Sequence, residues 1–334
     1  MTKQNKQIYA SLMSRIATVM LINQLLLLAL GFLISQAKAL FTANAIGSST
    51  LSGVVFGMAE CVVYFISFVL PVALFNKMNK NADREIYEPQ ESEKMPSWAF
   101  ACICGMCLGA ILIAAYVNHF IVNAFIDYSE FTKEHFWSFE LKYDYQIVIY
   151  LIRVAIIPAV VEELLLRGTV CKNLTVYGKG TAVVASAVLF ALMHTNIEQL
   201  LYTFVAGLLF GWLYVESRSI VFPILLHFLN NLIPAVGDII NQNAKPSIYN
   251  AYSIYTDIAI WVITFISLFG YLIYIFKKGR IINKLILKPD ENGGEVAPLS
   301  AGERATGFFS PVMILFVLYS FIVMAYYIYL SISL

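Results

Sequence analysis

The sequence predicts an all-α bundle of membrane-spanning helices, and three observations lead to this prediction. The 334-residue chain is 60% hydrophobic and only 13% charged, whereas a soluble globular domain is roughly half apolar and a quarter charged. The apolar residues are gathered in runs of about 20, the length at which a helix crosses the hydrocarbon layer of a bilayer. The charged residues are concentrated between these runs, as in a multi-pass membrane protein.

The apolar runs predict eight or nine transmembrane helices, and the short fifth run decides the count. They lie near residues 16–36, 51–75, 98–122, 145–170, 180–195, 197–216, 219–237, 253–276 and 308–332. Two longer charged segments, residues 79–95 and 277–307, separate some of them. The second segment begins with a cluster of basic residues, which predicts contact with an anionic membrane leaflet.

The distribution of basic residues predicts the orientation of the chain. If the N-terminus is cytoplasmic and the spans alternate, 16 of the 22 Lys and Arg residues lie on the cytoplasmic side and four on the other. This excess is the positive-inside pattern. The short core with few insertions is typical of a bacterial plasma-membrane protein. The net charge of +1 gives no indication of a nucleic-acid partner.

The fourth run contains three ionisable side chains, Glu162, Glu163 and Arg167. Ionisable groups at membrane depth cost several kcal/mol, so those that occur usually face the bundle interior and are paired or functional. Glu163 and Arg167 are four residues apart and share a helical face, so we expect them to pair. Glu162 points about 100° away from that face. Its carboxylate is therefore available to accept a proton.

A second pair of ionisable residues lies in the second and fourth runs. Glu60 and Arg153 are about 14 Å and about 12 Å from the outer ends of these runs. We expect them to form a buried ion pair away from the site.

Two later runs each bring a histidine to a similar depth. His194 lies four residues after Phe190 in the fifth run, and His227 precedes Asn231 by four residues in the seventh. At a rise of about 1.5 Å per residue in straight helices, Glu162, His194 and Asn231 lie about 20 Å from the cytoplasmic helix ends. His227 lies about 13 Å from them. All four groups can therefore meet, although hydrogen bonding between helices is an alternative role for His227 and Asn231. We expect Asn230, next to Asn231, to be a packing contact.

These residues suit two kinds of hydrolytic chemistry. Hydrolysis of a peptide bond needs an activated water and hydrogen-bond donors for the oxyanion. Glu162 with His194 can hold and deprotonate a water, while His227 and Asn231 can donate to the oxyanion. Alternatively, Glu162, His194 and His227 can be three ligands of a catalytic zinc ion, with water as the fourth. Both chemistries use the same residues, so both stay open at this point.

Three short motifs occur in order within residues 145–237. They are E-E-x-x-x-R from Glu162, F-x-x-x-H from Phe190 and H-x-x-x-N from His227. Together they resemble the motifs of the CPBP family. This family comprises the type II CAAX prenyl endopeptidases and bacteriocin-processing or immunity proteins, also called Abi.

The resemblance implies an intramembrane endopeptidase whose substrate is a peptide or protein, such as one with a lipid-modified C-terminus or a leader peptide. An endopeptidase with the glutamate-type mechanism needs no cofactor, although family members are often described as metalloproteases. The implied roles are water activation by Glu162 and His194, an oxyanion hole of His227 and Asn231, and support from Glu163 and Arg167.

The resemblance also implies a division of the chain. Residues 145–237 form the catalytic core, between N-terminal helices in residues 1–144 and C-terminal helices in residues 238–334. We expect the peptide to reach the core from the cytoplasmic side. The alternative is a non-catalytic membrane protein that gives immunity to a bacteriocin and keeps the motifs as a scaffold.

Overall fold

The computed structural model describes residues 3–43, 49–79, 96–125, 141–278 and 300–333. Within these ranges the chain forms ten helices and no strand, which confirms the predicted all-α fold. Residues 80–95 of the first charged segment and most of segment 277–307 lie outside the described residues. Their predicted roles therefore remain predictions, and so does the division of the chain into three parts.

The helices follow one another with short turns. Their bounds are α1 Lys3–Ala43, α2 Ser49–Met78, α3 Ser97–Phe125, α4 144–174, α5 Lys179–Met193, α6 Ile197–Ser217, α7 Val221–Asn243, α8 Pro246–Lys278, α9 Ala301–Phe308 and α10 Pro311–Ser333.

Each of the nine predicted runs coincides with a helix. Seven of the described helices are long and apolar enough to cross a membrane, namely α1, α2, α3, α6, α7, α8 and α10. Helix α5 has only 15 residues, so it extends about 22 Å. It is therefore too short to cross a hydrocarbon layer of about 30 Å on its own.

Helix α4 is interrupted twice by wider π-helical turns, at Ile152–Ile156 and Leu166–Cys171. The α-helical segment between them, Ile157–Leu165, carries both glutamates. Pro158 accounts for the first interruption, because it has no N–H and its ring crowds the carbonyl of Val154. Insertions of this kind are frequent at functional sites. The straight fourth helix assumed in the depth estimate was therefore wrong.

Contacts between helices define one end of the bundle, which we call the basic end. Here α1, α3 and α7 begin and α2 and α4 end. The contacts are the rings of Tyr9 and Tyr177 at 4.7 Å, the amides of Asn79 and Asn173 at 3.5 Å, and the rings of Phe100 and Phe222 at 5.1 Å.

Helix α9 joins α1 at the basic end. The Lys6 ammonium lies 2.8 Å from a carboxylate oxygen of Glu303. Hydrogen bonds from Lys6 and from Ser300 lower the pKa of Glu303 to about 2. Residue Ser300 also caps the helix, since its hydroxyl accepts from the Glu303 N–H.

The opposite end of the bundle, which we call the far end, is also joined by hydrogen bonds. The Asn118 side chain of α3 donates to the Glu198 carbonyl at the start of α6. The Leu141 N–H before α4 donates to Gln242 Oε1 at the end of α7, at 3.0 Å.

The hydrophobic core lies mainly in the half of the bundle toward the basic end. Its fully buried members include Met13, Ile16 and Met20 of α1, Phe75 of α2, and Leu166, Val170 and Leu174 of α4. Close contact between α5 and α6 completes it. At Gly207 an added Cβ would lie 2.9 Å from the Ala187 Cα, so only glycine allows this approach.

Candidate active site

A cavity of about 1090 Å³ lies inside the bundle. It is lined by residues of α1, α2, α4, α5, α6, α7 and α10. Four of the predicted site residues line it, namely Glu162, His194, His227 and Asn231. The helices therefore bring together side chains that are up to 69 positions apart in the sequence.

Glu163 and Arg167 lie behind the cavity wall and have no exposed surface. Arg167 Nη1 donates to Glu163 Oε1 at 2.9 Å, so the pair predicted from the four-residue spacing is present. Arg167 Nη2 donates to the Gly207 carbonyl at 3.0 Å. The guanidinium also lies 4.9 Å from the ring of Phe190 and 5.3 Å from that of Phe210. These contacts hold a buried charge that would otherwise be costly.

Glu162 faces the cavity and its two oxygens have different surroundings. Oε1 accepts a hydrogen bond from the Tyr64 hydroxyl of α2. Oε2 is buried and has no hydrogen-bond partner among the described residues. It lies 3.9 Å from His227 Nε2, which is beyond hydrogen-bonding distance. Oε2 is therefore the oxygen whose capacity to accept a hydrogen bond is unused.

The sequence motifs did not identify Tyr64 as a residue of the site. It lies on the second helix, 98 residues before Glu162. Its position one helical turn after Glu60, which we did expect to contact α4, was the available signal. Tyr64 also lies outside the motifs that carry the family resemblance.

His227 lies between the two glutamates. Its Nδ1 is 3.0 Å from Glu163 Oε1, and a carboxylate can only accept. The proton of this hydrogen bond therefore belongs to Nδ1. Nε2 points toward Glu162, and the imidazole stacks on Phe210 with the ring centres 5.2 Å apart.

His194 is fixed in a similar way at the C-terminal end of α5. Its Nδ1 lies 2.7 Å from the Phe190 carbonyl, which is also an acceptor only. Nδ1 therefore carries the proton, and the lone pair of Nε2 is available. The chain turns sharply after this histidine, with Thr195 at a φ of 49°.

Asn231 has a neighbour that also lines the cavity. We expected Asn230 to be a packing contact, but its Nδ2 donates to Asn231 Oδ1 at 3.1 Å and it faces the same space. Since the carbonyl oxygen of Asn231 is engaged, its amide N–H groups are the ones left to donate.

Glu60 and Arg153 form the ion pair that we expected from their depth in the second and fourth spans. Their side chains are 25% and 20% exposed rather than buried. Arg153 also lines the cavity that contains Glu162. The expectation that this pair lies away from the site was therefore wrong.

The arrangement of the described side chains bears on the zinc alternative. Among the described residues there is no group of three or more His, Cys, Asp or Glu side chains that could hold a metal ion. His227 Nδ1 is held by Glu163 and Nε2 stays free, an arrangement that zinc-binding histidines also show. The zinc alternative therefore stays a prediction.

Comparison with known protein families bears on the same part of the chain. Residues 144–233 match the family model of the type II CAAX prenyl endopeptidases, Rce1-like. The match confirms the resemblance to the CAAX protease family. It covers α4 to α7, which carry all three motifs, and leaves α1–α3 and α8–α10 outside. No curated protein and no solved structure matches the chain significantly.

The family match supports an intramembrane endopeptidase of the CAAX-protease type at the level of the family. Together with the seven long apolar helices, it supports an integral, multi-pass membrane protein. It also implies a peptide or protein as the substrate.

Proposed function

We propose that this protein hydrolyses a peptide bond inside the membrane, with a water that Glu162 and His194 activate. The observation that supports this proposal is the shared cavity. Glu162, His194, His227 and Asn231 come from three different helices and line the same space. Ionisable groups placed in this way within a membrane bundle are usually functional.

Glu162 is the general base in this proposal. Its Oε1 is held by Tyr64, and its Oε2 has no hydrogen-bond partner among the described residues. Oε2 accepts one proton of the water, while His194 Nε2 accepts the other hydrogen bond and orients the molecule. The proton then passes to the leaving amine, as general acid–base catalysis requires.

His227 and Asn231 stabilise the oxyanion. The Asn231 amide donates one hydrogen bond, and His227 donates another from Nε2. Because His227 Nδ1 already donates to Glu163, this role requires protons on both nitrogens. The positive charge of that imidazolium is balanced by the carboxylates on its two sides, Glu163 and Glu162. Arg167 in turn balances Glu163 and fixes the position of His227 indirectly.

The mechanism needs no metal ion, and zinc remains the alternative that a chelator tests. The substrate is proposed to be a polypeptide that reaches a membrane-embedded site, such as a lipid-modified C-terminus or a leader peptide. A cavity of about 1090 Å³ accommodates several residues of such a chain.

The decisive experiment replaces the proposed base. Glu162→Gln keeps an oxygen that can accept from Tyr64 but removes the carboxylate, so cleavage should fall by about 10²–10⁴-fold. Glu216→Gln is the matched control, because Glu216 is an exposed carboxylate on α6 outside the cavity. Peptides from cells with each variant are compared by mass spectrometry.

Peptides that accumulate uncleaved only with Glu162→Gln identify the substrate. If cells with Glu162→Gln and cells with Glu216→Gln contain the same peptides, the proposal is contradicted. If the Glu162→Gln variant then also protects its host from a bacteriocin, the non-catalytic immunity function is supported instead.

A further inference from the structure

The two halves of the bundle differ in a way that indicates how a substrate reaches the site. The described cavity residues of α4 are 150–162 and those of α7 are 227–242, so both sets extend toward the far end. Helix α1 contributes only residues within 24–35, in its far half. None of the described lining residues belongs to the turns 175–179 and 218–220 at the basic end.

The space between the glutamates and the basic end is filled by side chains. On α4, Leu166, Val170 and Leu174 follow the site at intervals of one turn, and each is 0% exposed. Met20 of α1 and Phe75 of α2 are also completely buried. Interiors packed in this way contain few voids larger than a water molecule. Glu162 and His227 therefore form the floor of a cavity that is closed on this side.

The far half of the cavity contains several polar side chains. Tyr150 donates to Asp238 Oδ2 at 2.6 Å, and Asp238 is exposed. Asp238 follows Asn231 by seven residues, so it lies on the same face of α7 about 10 Å closer to the far end. Arg153 and Gln242 line the same region. Charged and amide side chains at membrane depth indicate contact with water.

The sequence assigns the two ends to the two faces of the membrane. Sixteen of the 22 Lys and Arg residues lie at the basic end or in sequence segments that join helices there, and four lie at the far end or in a sequence segment that joins helices there. Such an excess marks the cytoplasmic side. With this assignment the cavity faces away from the cytoplasm, whereas from the sequence we expected access from the cytoplasmic side.

We propose that the substrate reaches the site from the non-cytoplasmic face of the membrane. This inference rests on the proposed peptidase function and narrows its substrate class. The substrate is a polypeptide segment that is exposed on that face or held in the outer part of the bilayer. An extended chain of three residues spans about 10 Å, the distance from Asp238 to Asn231 along α7. The scissile bond is therefore a few residues from the part of the segment at the cavity mouth.

Cysteine labelling tests the direction of access without requiring proteolysis. Three variants are compared in intact cells with a small, membrane-impermeant, anionic methanethiosulfonate. Ser247→Cys reports on the far end, Ser219→Cys on the basic end, and Asn230→Cys on the cavity floor. The two serines both lie beside a helix end and outside the cavity lining. The unsubstituted chain gives the background from its own five cysteines, and size-exclusion chromatography in detergent checks that each variant folds.

We expect Ser247→Cys and Asn230→Cys to react in intact cells, and Ser219→Cys to react only after the membrane is permeabilised. Protection of Ser247→Cys in intact cells, or reaction of Ser219→Cys there, would overturn the orientation. Reaction of Asn230→Cys only from the cytoplasmic side, or from neither side, would overturn the direction of access. Because no cleavage is measured, these outcomes are independent of whether Glu162→Gln abolishes hydrolysis.

Discussion

Replacing Tyr64 by phenylalanine isolates the contribution of a residue outside the matched family region. The hydroxyl of Tyr64 donates to Oε1 of Glu162 and leaves Oε2 for the water. The tyrosine ring packs on Phe68 with the centres 4.9 Å apart, and phenylalanine preserves that contact. Tyr64→Phe therefore removes one hydrogen bond and little packing, so the effect should appear in catalysis more than in stability.

The size of the effect follows from the charge of the acceptor. A hydrogen bond to a charged group contributes about 1.5–3 kcal/mol, and about 1.4 kcal/mol corresponds to a factor of ten in rate. Without this donor the carboxylate of Glu162 can rotate away from the position in which it holds the water. We expect kcat/KM to fall roughly 10- to 100-fold.

The assay is the initial rate of cleavage by purified protein in liposomes, with a peptide found by the Glu162→Gln comparison. Tyr116→Phe is the matched control, because Tyr116 also donates its hydroxyl to a carboxylate, that of Asp257. This second hydrogen bond joins α3 to α8 and lies outside the cavity. Full activity of Tyr64→Phe, or an equal loss with Tyr116→Phe, would refute the reasoning.

Three further predictions concern stability and metal. Arg167→Met leaves the buried Glu163 carboxylate without its cation, and it should lower the free energy of unfolding by about 3–5 kcal/mol, measured by thermal unfolding in detergent; a loss below about 1 kcal/mol would contradict the buried pair. Gly207→Ala forces α5 and α6 apart at Ala187 and should cost about 1–3 kcal/mol. Gly31→Ala, where an added Cβ meets nothing within 4 Å, should be neutral in the same assay. Treatment with a zinc chelator should leave cleavage unchanged, and its loss with recovery on adding zinc would support the metal alternative instead.

The parts of the site that the sequence predicted are those that depend on helical periodicity. A spacing of four residues put Glu163 beside Arg167, and a step of about 100° turned Glu162 away from that pair. Both features depend only on local geometry, which a continuous helix imposes on any sequence. The pairing of Glu60 with Arg153 was also predictable, because two opposite charges at similar membrane depth are more stable together.

The features that the sequence did not predict depend on how the helices pack. Tyr64 reaches Glu162 because α2 packs against α4, and no spacing within one helix indicates this. The two π-helical turns shift the phase of α4, and only Pro158, just after the first turn, was a visible signal in the sequence. The direction of the cavity depends on which half of the bundle is filled, and this in turn depends on side-chain volumes from several helices.

The closed floor of the cavity matters for the membrane as well as for the substrate. Water that enters from one side stops at Glu162 and His227, since the next turns of α4 are completely buried. With the proposed access from one face, the space above these residues does not join the two aqueous compartments. A protein built in this way can carry out hydrolysis deep in the bilayer without dissipating the proton and ion gradients that the cell maintains across it.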